Sequence, residues 1–122
     1  MQRIEAPWGF QEILENNGKY VIKLLHVKPG EQLSTQYHVK KQESMYCLQG
    51  EGCLTLETQG QPPLSICHTL KKGVFHKIHP GVVHTLLCNN DSLEDLVMLE
   101  CSTPELDDIV RLKDKYGRVE KK

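Results

Sequence analysis

The stretch Gly30-Glu31-Gln32-Leu33-Ser34-Thr35-Gln36-Tyr37-His38-Val39-Lys40-Lys41-Gln42-Glu43, closed further on by Gly50, decides how this chain is read. Gln36 and His38 are two apart, so on a β-strand their side chains leave the same face. Glu43 follows a short turn and heads an apolar run, Met45-Tyr46-Cys47-Leu48. Gly81, His84 and Asn89 form a second, matching spacing downstream. Gln36, His38, Glu43 and His84 together make a mixed nitrogen and oxygen donor set. Such a set suits zinc or another first-row divalent ion, with room left for water or substrate.

A metal site inside a barrel needs its ligands on the inward faces of their strands. By alternation Glu43 shares a face with Met45 and Cys47, and His84 with Leu86 and Cys88. Both proposed ligands are therefore in register with residues that favour burial. A carboxylate buried in such company without a partner carries a heavy desolvation cost, and a cation supplies the partner.

Turn signals recur at short intervals to either side of this stretch. Asn16-Asn17-Gly18 separates Phe10–Glu15 from Lys19–Val27 as a tight hairpin. Gly50-Glu51-Gly52 joins Met45–Leu48 to Cys53–Glu57, and Gln59-Gly60-Gln61-Pro62-Pro63 leads to Leu64–Leu70. Lys71-Lys72-Gly73 opens Val74–Ile78, His79-Pro80-Gly81 leads to His84–Cys88, and Asn89-Asn90-Asp91 precedes Leu96–Ser102. Short strands with no helical period between them predict an all-β barrel or jelly roll. The tail reads differently: Thr103 as a cap, Pro104 at the first position and Glu105, Asp107 and Asp108 in the first turn predict a short helix or helical turn.

The 122 residues read as one domain, 1–122, with 39% hydrophobic and 25% charged residues and a net charge of -1. That balance gives no electrostatic reason to expect a nucleic-acid or membrane partner. No apolar run approaches a membrane span, and Met1-Gln2-Arg3-Ile4-Glu5 lacks the shape of a signal peptide, so a cytoplasmic location is expected. The five cysteines, Cys47, Cys53, Cys67, Cys88 and Cys101, include no pair two residues apart and read as reduced packing residues.

The spacing of Gln36, His38, Glu43 and Gly50, followed by Gly81, His84 and Asn89, resembles the paired motifs of the cupin superfamily, with Gln36 where many members carry a first histidine. A closer resemblance is to the C-terminal cupin domain of type II mannose-6-phosphate isomerases, a domain often fused behind a mannose-1-phosphate guanylyltransferase. It rests on Pro7-Trp8-Gly9, Val27-Lys28-Pro29-Gly30, Leu33-Ser34-Thr35-Gln36-Tyr37-His38, Glu43, Gly50, His84, Leu86 and Asn89. The chain closes in the same likeness with Asp107-Asp108-Ile109-Val110-Arg111 and Asp114-Lys115-Tyr116-Gly117-Arg118. Departures fall at Lys40, Ser44-Met45, His79 and Cys101-Ser102, around the ligand set and not within it. No Gly-rich nucleotide loop occurs in these residues, so nucleotidyl transfer is not expected of them.

The resemblance implies a single cupin, a double-stranded β-helix or jelly-roll barrel, with one divalent ion on Gln36, His38, Glu43 and His84. Zinc is the first choice, with manganese, cobalt and nickel as alternatives. It implies aldose–ketose isomerisation of a sugar phosphate, or else a metal cupin that binds such a ligand without turning it over. Arg118 and His79 are the candidate catalytic residues; Lys40 and Arg111 are candidates for substrate binding. Arginine suits bidentate phosphate contact, and a histidine at a pocket rim suits proton transfer. Exposed strand edges make a homodimer the expected assembly.

Overall fold

The computed structural model describes residues 1–118. Eleven strands follow in order: β1 (Gln2–Ala6), β2 (Gly9–Asn16), β3 (Val21–Val27), β4 (Thr35–Tyr37), β5 (Glu43–Gln49), β6 (Gly52–Glu57), β7 (Ser65–Leu70), β8 (Phe75–Ile78), β9 (His84–Cys88), β10 (Leu96–Ser102) and β11 (Val110–Lys113). They form a six-stranded sheet, β1-β2-β3-β10-β5-β8, and a five-stranded sheet, β11-β4-β9-β6-β7. Every strand pair is antiparallel, as the expected jelly roll requires. No helix among the described residues is long and apolar enough to cross a membrane.

The core lies between the two sheets and is built by alternation. Leu25 and Val27 on β3, Met45 and Cys47 on β5, Leu54 on β6, Leu86 and Cys88 on β9, and Leu96 and Met98 on β10 are all buried, together with Trp8, Leu70 and Ile78. Burying a side chain of Leu, Ile, Met or Val size contributes roughly 1.5–3 kcal/mol each, so this layer is the main force closing the barrel. The β5–β6 turn depends on Gly50, whose φ is 85°. A Cβ at Gly50 would meet the Asp95 carbonyl oxygen at 2.5 Å, so no side chain fits there.

Two expectations are corrected. The tail forms no helix among the described residues: it turns at Leu106-Asp107 and then adds β11 to the edge of β4. The groups expected to start a helix are used elsewhere. Thr103 Oγ1 accepts the Gln42 N–H at 3.0 Å, and the Asp108 carboxylate binds backbone N–H groups of residues 39–41. With its caps diverted and an open strand edge alongside, Val110-Arg111-Leu112-Lys113 pairs as a strand. The second correction concerns the cysteines. Cys53 and Cys67 form a disulfide between β6 and β7, with Cα atoms 5.7 Å apart. Their strands pair in a register that sets Cys53 opposite Thr69 and Cys67 opposite Thr55, diagonal neighbours on one face. Cys47 and Cys88 are free and buried as expected, while Cys101 is free but exposed.

Candidate metal centre

Strand pairing assembles this site from both sheets. On the five-stranded sheet Gln36 of β4 lies opposite His84 of β9, and Arg111 of β11 opposite Gln36, so the three form a row across β11-β4-β9. On the six-stranded sheet Glu43 of β5 lies opposite Ser102 of β10, and Glu100 of β10 lies opposite Lys23 of β3. His38 follows the end of β4. A cavity of about 430 Å³ between the sheets is lined by Gln36, His38, Glu43, His84, Lys23, Lys41, Glu100, Arg111 and Arg118. Met45 and Leu86 supply apolar wall, and Leu106 and Ile109 of the tail border it.

His38, Glu43 and His84 are all buried, and one ligand atom from each lies within 4.8 Å of the others. His38 Nδ1 donates to the Asp108 carbonyl, and His84 Nδ1 donates to the Val82 carbonyl at 2.9 Å. Each imidazole thus turns Nε2 toward Glu43: His38 Nε2 in direct contact with Oε1, and His84 Nε2 at 3.8 Å from the same oxygen. Gln36 is also buried, and its amide nitrogen donates to the Ser34 carbonyl at 3.4 Å, which leaves the amide oxygen as its remaining acceptor.

The donor set fits a divalent cation. Committing both Nδ1–H groups to carbonyls leaves two imidazole lone pairs and a carboxylate facing one another. Acceptors this close repel unless a proton or a metal ion lies among them. Burial alone would push the Glu43 carboxyl up, but a proton on His38 Nε2 donated to it and the Lys41 ammonium beside it hold it well below the usual range, and a cation would take that proton's place. Burial lowers the His84 pKa against the pull of Glu43, favouring the neutral ring that binds metal. An anionic oxygen and two neutral imidazoles are the ligand forms zinc takes.

Six of the residues singled out in the sequence therefore meet in one cavity: Gln36, His38, Glu43, His84, Arg111 and Arg118. Lys40 and His79 do not. Lys40 is exposed, because β4 ends at Tyr37 and the chain turns, so Lys41 and not Lys40 faces inward. His79 follows the buried Ile78 at the end of β8, so strand alternation sends it outward into a turn, where it is exposed. Among the cavity residues that the sequence reading does not anticipate, Lys23, Lys41 and Glu100 are charged and largely buried, and the sequence carries a signal for each. Lys41, Glu43, Met45 and Cys47 keep a period of two, as do Val21, Lys23 and Leu25, and Met98, Glu100 and Ser102. A charge at an inward register position was the clue.

Residues 1–114 match the family described as "Mannose-6-phosphate isomerase C-terminal". The chain belongs to that family. Among relatives, it is 31% identical over 119 residues to the mannose-1-phosphate guanylyltransferase ManC of Salmonella typhimurium, covering 97% of this chain and 23% of that protein. The chain thus spans about a quarter of the length of the relatives it matches. Solved structures share the fold. CapF, a capsular polysaccharide assembling protein of Staphylococcus aureus, superposes with a TM-score of 0.78 at 17% identity, over 93% of this chain and 34% of that one. A conserved protein with a double-stranded β-helix domain from Klebsiella pneumoniae gives 0.67 at 19% identity, over 93% and 86%. Membership of the family and the two-sheet architecture make this a cupin domain like the C-terminal one of type II mannose-6-phosphate isomerases.

Proposed function

We propose that this chain is a metal-dependent sugar-phosphate isomerase interconverting mannose 6-phosphate and fructose 6-phosphate, with zinc as its ion. The observation that carries the reading is that a buried two-imidazole, one-carboxylate, one-amide donor set lines the same cavity as Arg111, whose Nε has no hydrogen-bond partner among the described residues. Gln36, His38, Glu43 and His84 would hold the ion. When bound, it supplies Lewis acidity to the oxygens on C1 and C2 of the sugar.

The chain's own residues favour an anionic substrate. Arg111 Nε is buried without a hydrogen-bond partner among the described residues, and a phosphate oxygen would satisfy it. Four cationic side chains, Lys23, Lys41, Arg111 and Arg118, line the cavity against the three carboxylates Glu5, Glu43 and Glu100. A divalent ion widens that excess, and a phosphate offsets it. The cavity of about 430 Å³ falls in the ordinary range for a small-molecule site. Arg118 is tied to the Asp114 carboxylate through its backbone N–H at 2.6 Å, Nε at 2.7 Å and an Nη at 3.2 Å. Its part is therefore to shape the mouth, with Arg111 as the first phosphate contact. The family's description and ManC's name both support a mannose phosphate as substrate.

A second reading, a metal cupin that binds a sugar phosphate without turning it over, is favoured by the exposure of Lys40 and His79. Neither His79, the proton carrier expected from the sequence, nor Lys40, the expected substrate contact, reaches the cavity. Metal analysis of protein purified without chelator, together with a coupled assay on mannose 6-phosphate, separates the two. Turnover by the metal-replete chain supports the isomerase, binding without turnover supports the second reading, and absence of both defeats both.

A further inference from the structure

We propose that Lys23 and Lys41 form an oxyanion subsite on the wall of the six-stranded sheet, taking a planar two-oxygen anion (a carboxylate or an enediolate) next to the metal position. Lys23 sits at an inward position of β3 between Val21 and Leu25, both buried, and directly opposite Glu100 of β10. The side chains of Lys23, Lys41 and Glu100 are 11%, 5% and 3% exposed, so two ammonium groups and a carboxylate are buried on one wall. Apolar side chains would pack there without the desolvation cost of three charges. These charges border a cavity, where a ligand can reach them.

Glu100 Oε2 lies 3.4 Å from Lys23 Nζ and 3.5 Å from Lys41 Nζ, yet it accepts no hydrogen bond of good geometry. Burial and the neighbouring Glu43 carboxylate push the Glu100 carboxyl up to about 7 against the pull of Lys23 and Lys41, and it holds the two ammonium groups side by side without saturating them. Each ammonium has three N–H donors. Lys23 pairs with Glu100, and Lys41 pairs with Glu100 and, at 3.7 Å, with Glu43 Oε1, so donors remain on both. A divalent ion on His38, Glu43 and His84 would claim the Glu43 carboxylate and loosen its hold on Lys41. The wall would then carry two cations against Glu100 alone, beside a further dication. A ligand with two negative oxygens in one plane meets both ammonium groups at once; a neutral diol offers them no charge to balance.

This subsite rests on the isomerase reading only for the group that would arrive there, the enediolate of the sugar; its existence rests on the geometry of the wall. Oxalate and ethylene glycol serve as charged and neutral probes for calorimetric titration of the zinc-loaded chain, with zinc content measured before and after. Wild type should bind oxalate and not the diol. Lys23→Met should lose at least about 10-fold in oxalate affinity at unchanged zinc content, the scale of one hydrogen bond to a charged group. Lys23→Arg should retain most of it. The double variant Lys23→Met/Glu100→Gln removes both charges of the cross-strand pair, should also lose oxalate affinity, and decides the matter if the single variant folds poorly. Oxalate affinity unchanged in these variants, or absent from wild type, would overturn the subsite. Mannose 6-phosphate turnover assayed in parallel judges the isomerase reading separately: Lys23-dependent oxalate binding without turnover keeps the subsite and sinks the isomerase.

Discussion

Asp108 of the tail holds His38 and the loop that follows it. Its backbone carbonyl accepts the His38 Nδ1–H, while its carboxylate accepts the N–H groups of Val39, Lys40 and Lys41 at 2.9, 2.6 and 2.9 Å. One residue of the tail thereby sets the orientation of a candidate metal ligand and the path of the loop that turns Lys41 inward.

Asp108→Ala keeps the carbonyl but removes the acceptor for three N–H groups, so the loop carrying His38 loosens. Metal affinity should fall by about 10–100-fold, the usual effect of losing a group that orients a ligand, measured by competition with a chromogenic chelator. The N–H groups of Lys40 and Val39 hold the Asp108 carboxyl below its ordinary range. A depressed folded-state pKa contributes stability above the unfolded value near 4 and loses it as pH falls through the folded value. The clamp should therefore persist at neutral pH and release only in acid, below about pH 4. Affinity equal to wild type in Asp108→Ala would show that the loop needs no clamp.

Glu43→Gln preserves volume and removes the only carboxylate in the donor set. The variant should fold and carry sub-stoichiometric zinc by elemental analysis, and His84→Ala should behave alike. Full metal content in both would mean that the ion, if any, binds elsewhere.

Arg111→Ala should weaken mannose 6-phosphate binding by about 10–100-fold, the equivalent of the roughly 1.5–3 kcal/mol of a hydrogen bond to a charged group, with zinc content unchanged. Calorimetry on the zinc-loaded variant reads it. Because Arg118 is already held by Asp114, Arg118→Ala should cost less affinity than Arg111→Ala, and the reverse order would exchange the two roles.

Tyr116 donates its hydroxyl proton to the Glu31 carboxylate and so fastens the tail to the loop before β4. Burial and this bond push its pKa up to about 12. A folded-state pKa raised above the unfolded value near 10 contributes stability that is complete below about pH 10 and lost as pH rises through about 12. An absorbance titration of tyrosinate should show one group ionising near 12, absent from Tyr116→Phe. A Tyr116 that ionises with ordinary tyrosines would show the tail undocked in solution.

Much of this was legible because a strand states its faces every second residue. Glu43 with Met45 and Cys47, and His84 with Leu86 and Cys88, could be assigned inward before any pairing was known, and the turns marked by Asn17-Gly18 and Gly50-Glu51-Gly52 bound the strands observed. What escaped depended on partners distant in sequence. Nothing within residues 103–113 says that Thr103 and Asp108 will be engaged by residues 39–42, and without that knowledge they look like a helix start. Strand alternation carried on from Gln36 and His38 points to Lys40, but β4 ends three residues before it and the turn brings Lys41 inward, which local sequence does not reveal. Lys23 and Glu100 each look like a surface charge until the cross-strand neighbour is known.

The clamp from Asp108 to His38 also has a consequence that runs in the opposite direction. Linked equilibria are reciprocal: whatever free energy docking of the tail lends to the ion, the ion returns to docking of the tail. A bound cation would then act as a latch, making residues 103–118 harder to pry off and harder for a protease to enter. Chelation would fray the chain there before the barrel itself gave way. Ion occupancy could thus be read at a distance, from the survival of a segment that contributes no ligand of its own.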